Sequence, residues 1–214
     1  MSETKGDIIV RILLGSITLL LAVSVSLAAQ DSSKSEFFGG YQFFHLGNVV
    51  SIDPFTSTPG NPSSGINANG WDAAYTYKIN KAFGIAGDFG GAYGSATVNE
   101  GVAGILEAVK YKINLYTYAF GPVYSFDSKG NLKPFVHFLA GGAHASGSAC
   151  PAGSSCTSLG GQSGFVMETG GGLDLIHKKS LSYRIFQFDW VYRHIAGQGE
   201  GGNVRLSTGI LFRF

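Results

Sequence analysis

Apolar and polar side chains alternate residue by residue over several stretches of this chain, a period that belongs to extended strands rather than helices. From 204 to 214, Val204, Leu206, Thr208, Ile210, Phe212 and Phe214 share one face, while Arg205, Ser207, Gly209, Leu211 and Arg213 share the other. Trp71, Ala73, Tyr75, Tyr77 and Ile79 alternate with Asp72, Ala74, Thr76 and Lys78. Phe83, Ile85, Phe89 and Tyr93 face away from Ala86 and Asp88. Phe165, Met167, Leu173 and Leu175 oppose Glu168 and Asp174. Phe186, Phe188, Trp190 and Tyr192 oppose Gln187, Asp189 and Arg193, although Ile185 and Val191 blur that contrast. Segments 37–46, 111–126 and 134–145 also look extended, but neither face is clearly polar and their register stays open.

These segments predict about eight strands, an even number suited to a closed meander. The connections "INKA", "DSKGN" and "HKKS" are short, as hairpin turns are. Those at 47–69, 94–109, 146–163 and 194–202 are longer and rich in Gly, Ser, Asn or Pro. Short and long connections alternate, which places all the long loops at one end, as in transmembrane barrels. The expectation is an all-β fold, an eight-stranded antiparallel up-and-down transmembrane β-barrel over 37–214. A short linker over 30–36 precedes it.

Composition favours a membrane over water. Only 14% of the 214 residues are charged, against 44% hydrophobic and 13% aromatic. A soluble domain carries roughly 25% charged residues. In a bilayer every backbone polar group needs an internal partner, so the sheet must close and its last strand must pair with its first. Phe214 then belongs to the closing seam. The opposite faces form the interior, which places Asp72, Lys78, Asp88, Glu168, Asp174, Gln187, Asp189, Arg205 and Arg213 in a packed polar core. An eight-stranded cylinder is just wide enough for side chains to fill, and buried charges there must pair. Their reading is structural rather than catalytic. The rival is a secreted soluble β-barrel that binds a ligand, with its aromatic faces turned inward.

The first 29 residues read as an export signal. Lys5 and Arg11 precede the apolar run "ILLGSITLLLAVSVSLAA", which ends on small residues before the polar "QDSSKSE". That is the pattern of a cleaved secretory signal peptide, the alternative being an uncleaved helical anchor. A formal charge of +1 with no basic block argues against nucleic acid as a partner.

The signal, "NGWDAAYTYKINKAFGIAGDFGGAYG", "KINLYTYAFGPVYSF", "KPFVHFLAGGAHA", "ETGGGLDL", "YRIFQFDWVYRH" and "VRLSTGILFRF" together resemble the bacterial outer-membrane barrels of the OmpA, OmpX and opacity-protein type. The resemblance implies a cell outer membrane location, with outer-membrane lipid and lipopolysaccharide around the barrel. It also implies that Ile210, Phe212 and Phe214 form the signal read by the barrel-assembly machinery. It implies a barrel without the peptidoglycan-binding domain of OmpA proper.

Candidate chemistry is sparse. Cys150 and Cys156 in "CPAGSSC" form a disulfide in an oxidising compartment, and a zinc site with His144 lacks a fourth ligand in view. His45, His137, His144, His177 and His194 are scattered without ligand spacing. No nucleotide fingerprint or serine elbow is present, so no cofactor, metal or catalytic residue is assigned. His144 and Ser146 share a strand face and faintly resemble the His-x-Ser pair of lipid A deacylases, but "HASGSA" lacks the expected asparagine. A pore needs a wider barrel, though a narrow conduit stays an alternative. The leading expectation is a non-enzymatic envelope protein with a structural role or surface contacts through four outward loops, whose ligand is not legible.

Overall fold

The computed structural model describes residues 34–47, 66–102, 105–128, 130–195 and 198–214. The expected signal at 1–29 and most of the 47–69 loop lie outside the described residues. Eight strands follow in chain order: β1 Ser35–Leu46, β2 Ile66–Lys78, β3 Phe83–Val102, β4 Ile105–Ser125, β5 Leu132–Pro151, β6 Thr157–Lys178, β7 Leu181–Ile195 and β8 Gln198–Arg213. Each pairs antiparallel with its sequence neighbours, and β1 pairs with β8, so the sheet closes on itself.

The seam runs from Glu36 opposite Arg213 to His45 opposite Val204. It extends to the last residue: the Ser35 N–H donates to the Phe214 carbonyl at 3.1 Å, and the Phe214 N–H donates to the Ser35 carbonyl at 3.0 Å. Over the span where all eight strands pair, the described sheet leaves no free edge.

The alternation puts aromatic side chains outside. Tyr41 is 51% exposed and Ile85 54%, and Trp71, Phe89, Phe138, Phe188 and Trp190 share that outer wall. This is the reverse of a soluble ligand-binding barrel, whose aromatic faces would line the cup. The open registers resolve as well. Phe38, Phe44 and Leu46 of β1, Leu115, Ala119 and Val123 of β4, and Phe135, Leu139 and Ala143 of β5 all point inward. Those strands look two-sided because their lumen faces are apolar too.

The structure differs from the sequence reading at the start of the barrel and in three of the long connections. The barrel begins at Ser35 instead of 37, so Glu36, placed in the 30–36 linker, is a strand residue with its side chain in the lumen. The connections expected at 94–109, 146–163 and 194–202 are mostly paired backbone. β3 and β4 pair as far as Val102 opposite Ile105, β5 and β6 as far as Ala149 opposite Thr157, and β7 and β8 as far as Ile195 opposite Gln198. Gly- and Ser-rich segments lack the apolar face that marks a half-buried strand. Ladder hydrogen bonds do not require one, so these hairpins rise as ribbons beyond the apolar wall.

Gly40 and Gly209 face each other across the seam. A Cβ on Gly209 would run into the backbone of Gly39 and Gly40, whereas one on Gly39 would meet its nearest atom at 3.7 Å. We expect Gly209→Val to cost about 1–3 kcal/mol by overpacking and Gly39→Ala to stay within about 0.5 kcal/mol. Urea titration of the heat-modifiable folded band measures both. Equal effects of the two substitutions would contradict the seam geometry.

Candidate functional site

The lumen holds the chemistry, and it is layered from the turn end upward. At the lowest level Arg213 Nε donates to Glu36 Oε1 at 2.6 Å and its Nη1 to Ser182 Oγ at 2.7 Å. Lys78 Nζ lies 2.7 Å from the same Glu36 oxygen. Above them Arg184 forks onto Asp174, with Nε to Oδ1 at 2.8 Å and Nη2 to Oδ2 at 3.3 Å. The guanidinium also stacks over Phe38 and Phe135, 4.5 and 4.1 Å from their ring centres. Such packing suits the planar, weakly hydrated arginine head.

Arg205 occupies the centre and is wholly buried. Its Nε donates to Asp189 Oδ2 at 2.9 Å, its Nη1 to Asp88 Oδ1 at 2.8 Å and its Nη2 to Glu168 Oε2 at 2.9 Å. One guanidinium from β8 therefore ties β3, β6 and β7 across the lumen. Gln187 bridges the two upper layers, accepting from Arg184 Nη1 at 2.6 Å and donating to Asp189 Oδ2 at 2.7 Å. His137 Nε2 lies 2.8 Å from Asp189 Oδ1. Asp72 is buried close to the cluster, and among the described residues neither of its carboxylate oxygens has a hydrogen-bond partner.

Alongside and above this network Phe44, Leu46, Ile66, Leu115, Leu139, Val166 and Val191 belong to one apolar cluster. A cavity bounded by Glu36, Asp88, His137, Asp174, Arg184 and Gln187 has a volume of about 20 Å³, room for roughly one water. Among the described residues no group of His, Cys, Asp and Glu is arranged to hold a metal ion.

All nine polar positions singled out in the sequence lie on the lumen side of their strands. Glu36, His137 and Arg184 share the network and were not singled out. Glu36 fell in the assumed linker and His137 in a segment of open register. Arg184 was hidden by a bulge: Ile185 and Phe186 are both exposed, the register shifts between Arg184 and Gln187, and parity inverts across it. That bulge also explains why Ile185 blurred the alternation, while Val191 is a lumen residue of the apolar cluster.

Elsewhere, Cys150 and Cys156 are joined by a disulfide at the β5–β6 tip. His144 faces outward, with Nδ1 2.8 Å from Ser163 Oγ. Glu168 points into the lumen and bonds Arg205, so the wall of the barrel separates it from His144. A serine–histidine–acid arrangement is not assembled from these residues. Ile210 and Phe212 are exposed on the outer wall and Phe214 is half-buried beside them.

Neither a protein-family model nor a curated protein sequence matches the chain. Solved structures do. Ail, the attachment invasion locus protein of Yersinia pestis, superposes with a TM-score of 0.52 at 16% identity, over 86% of this chain and 100% of that one. The outer membrane protein OprG from Pseudomonas aeruginosa does so with a TM-score of 0.51 at 11% identity, over 86% and 97%. A second Ail structure, in complex with the heparin analogue sucrose octasulfate, matches at 0.52 and 15% identity, over 86% and 100%. This chain has the fold of an eight-stranded outer-membrane β-barrel.

In an outer-membrane barrel the exposed wall meets lipid, with aromatic girdles at its margins. Here Trp71 Nε1 donates to Tyr93 Oη at 3.3 Å, Tyr93 Oη donates to Tyr116 Oη at 3.4 Å, and Tyr41 donates to Asn69 Oδ1. These polar tips on apolar rings suit a level where hydrocarbon gives way to water.

Arg205 offers the sharpest test of the lumen. Arg205→Met leaves Asp88, Glu168 and Asp189 without their shared partner, and we expect a loss of about 3–5 kcal/mol in detergent-solubilised barrel. Arg205→Lys recovers only part of it, because an ammonium cannot fork. Guanidinium unfolding curves measure both against the exposed control Lys110→Gln.

Proposed function

We propose that the chain is a non-enzymatic outer-membrane anchor that holds long hairpins at the cell surface and does not conduct. The observation that carries this reading is the filled lumen. Arg205, Leu115, Leu139, Val166 and Val191 are each essentially inaccessible to solvent, so the barrel interior is spent on its own packing. The β3–β4 and β5–β6 ribbons supply the contact surface, the second with its tip closed by Cys150–Cys156. Ail, which shares the fold, is named as an attachment invasion locus protein, which agrees with a surface role for such hairpins.

Short turns face the periplasm in barrels of this kind and longer connections face outward. On that orientation Lys110 and Lys112 are extracellular, and Lys81, Lys178 and Lys179 periplasmic. Whole cells treated with a membrane-impermeant amine reagent should be labelled at Lys110 and Lys112 only, as read by peptide mass spectrometry. The same protein in planar bilayers should show no conductance steps. Reproducible steps would replace the anchor by a conduit, and labelling at the turn lysines alone would invert the barrel.

Export and assembly complete the reading. Residues 1–29 act as a cleaved export signal, and the outward row Ile210, Phe212 and Phe214 is recognised by the barrel-assembly machinery. We expect Phe214→Ala to lower the heat-modifiable outer-membrane band several-fold while leaving in vitro folding into detergent nearly unchanged. An equal loss in both would mean that Phe214 acts through seam stability.

A further inference from the structure

Away from the lumen network, the charged positions along the strands and turns differ between the two ends of the barrel. At the turn end Lys34, Lys81, Lys178 and Lys179 are exposed, and among the described turn residues the acidic counterpart is Asp127. Lys133 is half-buried and sits opposite Asp174, so its charge is directed to the lumen mouth. Toward the opposite end, the strand positions of Glu100, Glu107 and Glu200 lie in the same paired ribbons as, or beside, those of the exposed Lys110 and Lys112. The formal charge of +1 therefore conceals a basic collar at one end of the cylinder.

The collar lies directly against the lipid-facing wall. Lys81 stands at the tip of a turn in which Asn80 Oδ1 accepts from the N–H groups of Ala82 and Phe83 at 2.9 and 2.8 Å. Ile79 and Phe83 flank it, 60% and 51% exposed. Lys178 pairs with Leu181, which in turn lies opposite the exposed Phe212. The Lys78 N–H donates to the Lys34 carbonyl at 2.7 Å, which places Lys34 beside the end of β2. A strand rises about 3.3 Å per residue, so each of these amines starts within a few residues of hydrocarbon and can reach outward along its own apolar stem.

We propose that Lys34, Lys81, Lys178 and Lys179 form a collar that binds the phosphate headgroups of anionic phospholipids in the leaflet at the turn end. The proposal rests on the outer-membrane barrel reading and adds a lipid preference to it. Phosphate is the anion available at the depth where the apolar wall stops, and four like-charged amines at one rim gain from it what they cannot gain from one Asp127. Attraction of this kind acts within a Debye length and is weakened by salt.

The test uses the whole chain in nanodiscs containing equal parts of phosphatidylcholine and phosphatidylglycerol, with spin-labelled forms of each lipid reporting which is held at the protein surface. We expect phosphatidylglycerol to be preferred by roughly two- to fivefold at low salt, with the preference vanishing at high salt. The combined Lys34→Gln, Lys81→Gln, Lys178→Gln and Lys179→Gln variant should lose it, while Lys110→Gln with Lys112→Gln should keep it. Equal retention of the two lipids by the unaltered chain at low salt overturns the collar, as does a preference that survives the four substitutions. If lipid retention is equal but the unaltered chain co-sediments with purified peptidoglycan and the four-lysine variant does not, the collar serves the cell wall and the lipid assignment falls. Heat-modifiable mobility is checked in every sample, and a chain that never folds in a bilayer fails at the barrel reading instead.

Discussion

A backbone amide in hydrocarbon has no water to fall back on, and each one left unpaired costs several kcal/mol. For a single sheet the only escape is closure, which makes the β1–β8 seam the condition for every other feature. It forces Ser35 and Phe214 to pair, since a strand that frayed there would reopen the edge. It fixes the parity of all eight strands at once, because in a closed ladder each register is set by its neighbours. It also inverts the usual inside and outside, so that Trp71, Phe138 and Trp190 face the surroundings while Glu168 and Arg205 are hidden.

Closure with eight strands creates a lumen too narrow to be left as a channel and too polar to be left unpaired. The chain fills it in two ways. Around Arg205, charge meets charge from β3, β6, β7 and β8, which converts four separate strands into one cross-braced wall. Such a cluster is weak evidence of net stability, since desolvation offsets much of the attraction. It is strong evidence of specificity, because a register slip by one residue would move a carboxylate or the guanidinium onto the lipid face. The apolar cluster around Leu115 and Leu139 needs no such matching and supplies the packing that the ion pairs do not.

The sequence carried the wall more clearly than the ends or the lumen's full membership. Strands with charged residues on one face and apolar or aromatic ones on the other, such as Trp71–Lys78 and the final Val204–Phe214, could be read by parity alone. Parity failed where both faces are apolar, as in β1, where Phe37 looks outward and Phe38 inward with nothing in composition to distinguish them. It failed again at Ile185 and Phe186, because a bulge adds a residue that no periodic pattern encodes. The ribbon segments were misread for a third reason. A strand that leaves the bilayer has water on both faces, so 94–102 and 157–163 lose the contrast that marks strands inside it while keeping their hydrogen bonds. Arg184 was thus hidden by a local irregularity and Glu36 by a boundary set two residues late, whereas Arg205 is legible because its strand is regular.

Three environments act on one wall, and the ionisable residues sort accordingly. Within the bilayer-spanning part of the cylinder, charges point inward and most meet partners, Asp72 being an exception among the described residues. Outside it, they are free to differ between the two ends, because no pairing requirement links one rim to the other. Net charge, which averages all three, describes none of them: among the described residues the lumen carboxylates Glu36, Asp72, Asp88, Glu168, Asp174 and Asp189 stand against Lys78, Arg184, Arg193, Arg205 and Arg213, with Lys133 at the lumen mouth. His137 joins this set, with its Nε2 2.8 Å from Asp189 Oδ1. A closed, low-dielectric compartment favours neutrality more strongly than any single ion pair does, because unbalanced charge in it is opposed by the whole wall. On this view the near-balance of signs across the lumen matters as much as any one of its pairs.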